Sequence, residues 1–336
     1  MLKGENCMKL NFKSKDSVQA AKRLIIKSKM GDGKEKIHSL PEAFMLLIKG
    51  IEKENLDNLC KELRKYYPKL TEDECYNLTQ GKGQIFENNA NVVSNIIFNC
   101  ANSCLSQGKH MGNNEIAGGK INTSGWISHS IYEAQVAGKL AKMLGLNKEK
   151  AMTLAILHDF GRKSTHTFEH VTQGFDDLIK LGWEDEAVST LTHSFINGGR
   201  CANCDPAEEG FYIDEEGQPK WEHEEDKDDV AKFLELYTYN SYDDIINIAD
   251  LMATSNGIVS PVERIEDIST RRTPDTKNRN YFLSEFINKM NEILLRMGQI
   301  TEFQKIDSRL EYDKIEEIFE TKSRRFFEFY KEARMR

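Results

Sequence analysis

Apolar residues recur at three- and four-residue spacing through much of the chain, and the rhythm is sharpest between residues 122 and 255. There Ile127, Ile131, Ala134, Ala137, Leu140, Ala141 and Leu144 lie on one helical stripe that stops at Gly145, with Thr123 or Ser124 placed to cap it. Lys148 to Phe160 reads as a second helix closed by Gly161, and Thr167–Leu181 and Glu184–Ile196 as a third and fourth. Val230–Tyr239 and Ser241–Ser255 continue the series. Upstream, Val18–Lys29 and Leu40–Lys53 are helical on either side of the breaker Gly31-Asp32-Gly33. Asn88–Leu105 forms a further helix before a glycine-rich linker, Gly112–Gly119, and Tyr281–Met297 and Tyr312–Ala333 make the tail helical again. Strand-like signal is confined to a short hairpin at Tyr212–Trp221 with a turn at Glu216-Gly217. The expected fold class is all-α.

This pattern predicts a helical N-terminal extension over 1–119, a core over 120–280 and a helical C-terminal extension over 281–336. Between Asp205 and Asp229 the composition changes to twelve acidic residues against two lysines, which marks an exposed insertion in the core. Its position between two helices of interest would let it screen the approach of large polyanions.

Composition narrows the class. At 336 residues, with 39% hydrophobic and 30% charged, the chain is neither disordered nor fibrous. No run approaches the roughly 18 apolar residues of a membrane span, and Lys3, Glu5 and Lys9 interrupt any signal-peptide core, so a soluble cytoplasmic protein is expected. The net charge of −8 argues against wholesale coating of nucleic acid, yet leaves room for a small anion held by a few local cations. The seven cysteines read as reduced thiols. Cys201-x2-Cys204 is half of a conceivable zinc site, for which Cys100 and Cys104 have the wrong spacing as the other half.

Chemistry concentrates in the best-patterned region. Five of the eight histidines fall between 129 and 193. His158 extends the stripe of Ala151, Leu154 and Ala155, and Asp159 follows it where the helix unwinds before Gly161. On a straight helix adjacent residues diverge by about 100°, but at a fraying end both side chains can turn toward one ion. His129, His170 and His193 lie on separate helices, and Asp250 ends the apolar run Ile245 to Ala249. Four imidazoles and two carboxylates are a suitable ligand set for borderline divalent metals.

In this order and spacing the residues resemble the HD-domain metal-dependent phosphohydrolases, over roughly Asn122 to Ser255. The resemblance rests on His129-Ser130, on the doublet in Leu157-His-Asp-Phe-Gly161, and on Asp250 in Ile-Ala-Asp-Leu. A His-x3-Gly element, His170–Gly174, and His193 in Leu-Thr-His-Ser are similar to the two-metal subset, with His166 a competitor for the place of His170. The resemblance implies one ion held by His129, His158, Asp159 and Asp250, and a second by His170 and His193 with Asp159 bridging. It implies one or two divalent ions (Fe, Mn, Zn, Ni, Co or Mg) and hydrolysis of a phosphoester or phosphoanhydride bond by metal-activated hydroxide. The expected partner is a small, nucleotide-like phosphorylated substrate, with a homo-oligomer allowed. Arg162 and Lys163 stand where the family often has a lysine, and are candidates to hold phosphate; Arg264, Arg271 and Arg272 are further ones. The alternatives are a single-metal nucleotidase or deoxynucleoside triphosphate hydrolase, and a non-catalytic nucleotide-sensing module.

Overall fold

The structure, a computed structural model, describes residues 10–30, 37–48, 53–106, 114–116, 120–122, 125–165, 167, 169–195, 211–213, 219–221, 228–261, 263–264, 284, 287–288, 290–296 and 298. Outside them lie His166, Cys201, Cys204, Arg271, Arg272, the predicted helix at 312–333 and all of the acidic insertion except its hairpin and its last two residues.

The chain is predominantly helical, as its periodicity predicts. In order come α1 (Lys15–Met30), α2 (Leu40–Ile48), α3 (Lys53–Tyr66), α4 (Glu72–Thr79), α5 (Gln84–Ser106), α6 (Trp126–Met143) and α7 (Lys148–Leu157). A 3-10 turn at Phe160–Lys163 leads to α8 (His170–Lys180), α9 (Glu184–Thr192), α10 (Asp229–Leu236) and α11 (Ser241–Asp250). Three antiparallel pairs accompany them: β1 (Asn114–Ile116) with β2 (Lys120–Asn122), β3 (Phe211–Ile213) with β4 (Pro219–Trp221), and β5 (Ala253–Thr254) with β6 (Gly257–Ile258). The hairpin expected near Tyr212 is therefore present. Of the expected helix Leu40–Lys53, α2 covers Leu40–Ile48 and Lys53 opens α3, with residues 49–52 outside the described ones. Within and just beyond the glycine-rich stretch, β1 pairs with β2.

α6 and α7 form the central pair, and α6 is buried on most sides, from Trp126 through Ala141. α11 packs across both, and α8 and α9 pack on each other. α1 lies on α8, α9 and α10, and α2 on α5 and α7, so Ala20, Leu24, Phe44 and Leu47 join the same apolar cluster as Ile131, Leu157 and Phe175. Each fully buried Leu, Ile or Phe among them contributes about 1.5–3 kcal/mol relative to exposure.

Two close approaches set the positions of the elements that matter for function. The N-cap of α6 is Gly125 rather than a hydroxyl residue; Thr123 and Ser124 lie outside the described residues. Gly125 has φ 59°, and a Cβ there would sit 2.7 Å from the Cβ of Ser255. Glycine thus lets the β5–β6 turn press on the start of α6. At the other approach, the backbones of Gly161 and Gly174 meet. A Cβ on Gly161 would lie 2.0 Å from the His170 carbonyl oxygen, and one on Gly174 would lie 2.9 Å from the Gly161 nitrogen.

Asp243 ties α11 to the end of α9. It closes a reciprocal cap with Asn240, accepting that residue's backbone N–H at 2.8 Å while Asn240 Oδ1 accepts the N–H of Tyr242. Its carboxylate also accepts from the hydroxyls of Thr192 at 3.0 Å and Tyr237 at 3.2 Å. Burial pushes the Asp243 carboxyl up to about 7, against the pull of these donors. In the unfolded chain the same group ionises near pH ~4. Between those values the folded state keeps a proton the unfolded state has lost, so this group's contribution makes stability fall as pH rises through the window. Asp243→Asn, compared with wild type by thermal melts from pH 4 to 8, should flatten that part of the profile; an unchanged slope would contradict it.

Candidate metal centre

The six side chains singled out by sequence pattern come from five helices and meet at helix ends. His129 is in the first turn of α6, His158 caps the C-terminus of α7, His170 opens α8, His193 caps α9, and Asp250 ends α11. Asp159 follows His158 at the head of the 3-10 turn. His129, His158, Asp159, His170 and His193 are all buried, and the Asp250 side chain is 22% exposed.

The rings are oriented by backbone carbonyls. The Ala155 oxygen receives the ring nitrogen Nδ1 of His158 at 2.7 Å, Thr167 that of His170 at 2.8 Å, and Ser189 that of His193 at 3.1 Å. In each case the same carbonyl also accepts the histidine's own backbone N–H. Only an N–H can satisfy these carbonyls, so Nδ1 carries the proton and Nε2 presents a lone pair. The two Nε2 atoms of His170 and His193 then face one another 3.3 Å apart. Asp159 Oδ1 lies 3.1 Å from the first and 3.5 Å from the second, and its Oδ2 lies 3.5 Å from His158 Nε2. The Ser194 hydroxyl, 2.8 Å from His193 Nε2, is the nearby donor. On the other side of His158, His129 Nε2 lies 3.1 Å from Asp250 Oδ1.

Acceptors crowded this closely repel unless positive charge lies among them. Ligand bonds of about 2.0–2.2 Å put neighbouring donors of an octahedral or tetrahedral ion roughly 2.8–3.6 Å apart. The observed spacings, 3.1–3.5 Å, fall inside that range. The residues present fit a divalent cation.

Electrostatics agree. Burial would raise the Asp159 carboxyl, but the charges of Arg162 and His158 hold it well below the ordinary range. Asp250 is likewise lowered: burial is outweighed by its hydrogen bond with His129 and by the positive charge of His158 and Arg264. Burial takes His170 down to about 4 and also lowers His129, so both stay neutral and able to donate a lone pair at neutral pH. His158 goes the other way: Glu133 and Asp159 override its burial and favour a proton on Nε2 as well, one that an ion bound there would displace to free the lone pair.

Glu133 did not figure among the residues read from sequence. It lies one turn beyond His129 on α6, fully buried, with its Oε2 3.6 Å from His129 Nε2 and 2.8 Å from His158 Nδ1. Burial, then the nearby Asp250 and Asp159, raise its carboxyl to about 8 against the pull of His158. The one available signal was that Glu133, four residues after His129, is the single acid between His129 and Ala141.

The candidate phosphate-holding cations divide. Arg162 donates from Nε to Asp159 Oδ2 at 2.7 Å, and Arg264 Nη2 lies 3.8 Å from Asp250 Oδ1. Both guanidinium groups stand at the edge of the cluster, about a fifth exposed. Lys163 instead pairs with Asp177 at 3.3 Å and lies over the Phe160 ring.

Residues 126–197 match the family model of the HD domain. Over 67 residues the chain is 40% identical to Ribonuclease Y of Fervidobacterium nodosum, which covers 19% of this chain and 13% of that protein. It is 51% identical over 41 residues to Ribonuclease Y of Mycoplasmoides gallisepticum (12% and 7%), and 38% identical over 69 residues to that of Petrotoga mobilis (20% and 13%). The chain thus matches 13% or less of the length of these relatives. No solved structure matches it. The HD domain is a metal-dependent phosphohydrolase domain that binds divalent metals. Among the described residues, no helix is long and apolar enough to cross a membrane.

Proposed function

We propose that the chain hydrolyses a phosphoester or phosphoanhydride bond in a nucleotide-like substrate, using two divalent ions held by His129, His158, Asp159, His170, His193 and Asp250. The observation that carries this reading is the set of three buried imidazoles whose Nδ1 protons are committed to backbone carbonyls while their Nε2 atoms converge on Asp159. When bound, the ions would supply Lewis acidity and lower the pKa of water, which makes a nucleophile available near neutral pH.

The chain's own residues do the rest. The carbonyls of Ala155, Thr167 and Ser189 fix the imidazole tautomers, the role that outer partners of metal-binding histidines commonly play. Arg162 and Arg264 bring positive charge to the two ends of the cluster, where oxygens of a reacting phosphate would gain negative charge. Lys163, turned to Asp177, serves instead to fasten the 3-10 turn to α8.

A second reading takes RNA as the substrate. It is favoured by the ribonuclease names of the three relatives, whose matched segments are 41 to 69 residues long. Metal-stripped protein resupplied with Mn2+ or Co2+ and offered mononucleotides, cyclic dinucleotides and a single-stranded oligoribonucleotide separates the two. Turnover of the small compounds supports the first reading, preferential cleavage of the oligomer supports the second, and no metal-dependent hydrolysis of any of them contradicts both.

The two-ion arrangement has its own check. His170→Ala and His193→Ala should each lower bound metal from two ions to one per chain and reduce hydrolysis by at least about a hundredfold, since even outer partners of such ligands commonly cost 10–100-fold. Elemental analysis of the purified variants measures this. A wild-type chain that saturates at a single ion would rule it out.

A further inference from the structure

We propose that a cavity at the opposite ends of α9 and α11 from the histidine cluster is a second ligand site, for a linear aliphatic polyamine, and that Tyr239 couples its occupancy to His193. The coupling rests on the metal-dependent reading above; the site itself does not.

The cavity encloses about 300 Å3 between α1, the N-terminal parts of α9 and α11, the connection 237–241 and Arg296. That is the low end for small-molecule sites, about 300–1,000 Å3, and leaves no room for a macromolecule. Its wall residues Asp185 and Asp244 stand about 12 and 9 Å along their helices from His193 and Asp250, at about 1.5 Å per residue.

The charges of the cavity are layered. The carboxylates form its inner wall, with the Asp185 side chain 10% exposed and that of Asp244 3% exposed. Their partners reach in from the surface, Lys27 to Asp185 at 2.5 Å and Arg296 to Asp244, and both stay about half exposed. This layering decides the sign of the ligand. An anion drawn to Lys27 and Arg296 would take them from two buried carboxylates, and stripping one partner from a buried ion pair is strongly unfavourable. An organic cation does the opposite. It replaces two surface cations whose long side chains regain water and rotamer freedom.

Amines spaced along a flexible chain suit two carboxylates on different helices, and Leu24 and Val188 offer apolar wall to the methylenes. Tyr237 and Tyr239 line the same cavity, their rings edge to face at 5.8 Å, and tyrosine faces attract ammonium groups.

Tyr239 also joins the cavity to the histidine cluster. Its hydroxyl donates to the Phe195 carbonyl oxygen at 2.5 Å and lies 3.4 Å from that of Thr192, so it holds the backbone on both sides of His193 and Ser194. Asn247 of α11 donates to the same Thr192 oxygen. A ligand packed against the Tyr239 ring steadies that hydroxyl and the segment carrying His193. Each site then favours the other by the same factor.

Isothermal titration of spermidine into the full chain, metal-stripped and Mn2+-loaded, tests both parts. One saturable site is expected, weakened at least about tenfold in Asp244→Asn, because truncating one partner of a buried charge pair costs that much or more. Lys27→Ala, at a half-exposed position, should tighten spermidine binding, since it removes an internal competitor. A site for anions would show the reverse sign: inorganic phosphate bound by wild type and lost in Lys27→Ala. That result, no saturable spermidine binding, or spermidine binding no tighter in Lys27→Ala would overturn the site, and this variant decides the matter even if Asp244→Asn does not fold. Bound Mn2+ should tighten spermidine binding at least about fivefold in wild type and not in Tyr239→Phe, which keeps the ring and loses the hydroxyl. Equal affinity with and without Mn2+ in wild type would overturn the coupling. A chain that takes up no Mn2+ yet binds spermidine with these variant effects would defeat the metal-dependent reading, and the coupling with it, while supporting the site.

Discussion

Replacing His158 or Asp159 with alanine is expected to remove bound divalent metal and to reduce hydrolysis by a thousandfold or more, while the helical circular dichroism stays close to wild type. Asp159 stands within 3.1–3.5 Å of three imidazole nitrogens, so its loss removes the shared carboxylate of the whole group. His158 offers Nε2 to Asp159 and fills the space between the two donor groups, with T-shaped ring contacts to His129 and His193. Both residues follow the last turn of α7, whose helix is held by Leu154, Ala155 and Leu157 in the core rather than by the cluster. The fold should therefore outlast the site. Loss of a ligand costs more than loss of an outer partner, which is commonly 10–100-fold. Full activity in either alanine variant would sink the proposed site.

A comparably large effect is expected at a residue that touches no donor atom of the cluster. In Gly161→Ala the new methyl group would overlap the His170 carbonyl oxygen and the Gly174 nitrogen, at 2.0 and 2.6 Å. These are backbone atoms, which cannot swing aside as a side chain can. Either the 3-10 turn and α8 separate, or the domain loses stability; overpacking of this kind costs about 3 kcal/mol or more. Separation would move His170 away from Asp159. Thermal unfolding with and without metal, together with metal stoichiometry, measures both arms. A variant with wild-type melting temperature and two bound ions would show that the close approach is not needed. At Gly138, by contrast, a Cβ would meet only side-chain atoms, Cγ and Sδ of Met152 at 2.7 Å and Cε of Lys148 at 3.3 Å, and alanine there should be milder.

The residues of the cluster were legible in the sequence because each carries its own local signal. His129 stands near the start of a helix with a long apolar stripe, the doublet ends another, and Asp250 is the one acid at the close of Ile245–Ala249. His193 falls off the apolar stripe of its helix, yet α9 stops at Thr192 and His193 turns inward as its cap. A stripe argument applied past a helix end misplaces such a side chain. His170 was separated from His166 by the glycine four residues on, and the contact of Gly174 with the backbone of Gly161 gives that spacing its physical reason.

What was not legible depends on contacts between distant segments. Glu133 reads as a stray charge on an apolar helix until α7 and α11 bring His158 and Asp250 against it. Arg162 and Lys163 are adjacent and chemically alike in sequence, but the 3-10 turn sends one to Asp159 and the other to Asp177. α3 and α4 were passed over because their periodicity is carried by few apolar residues, among them Leu59, Leu63, Cys75 and Leu78, in strongly charged segments. The place of Gly125 at the start of α6 has no local signal, since nothing near it in sequence announces that Ser255 will press on it.

The account turns on whether this buried group of histidines and carboxylates binds divalent metal. The most direct measurement is the number of ions retained per chain after metal-stripped protein is equilibrated with a Mn2+ and Co2+ mixture and dialysed, determined by elemental analysis alongside Asp159→Ala. The account predicts two ions in the wild-type chain and none in the variant. A folded wild-type chain that retains no ion, or an Asp159→Ala chain that retains both, would contradict it.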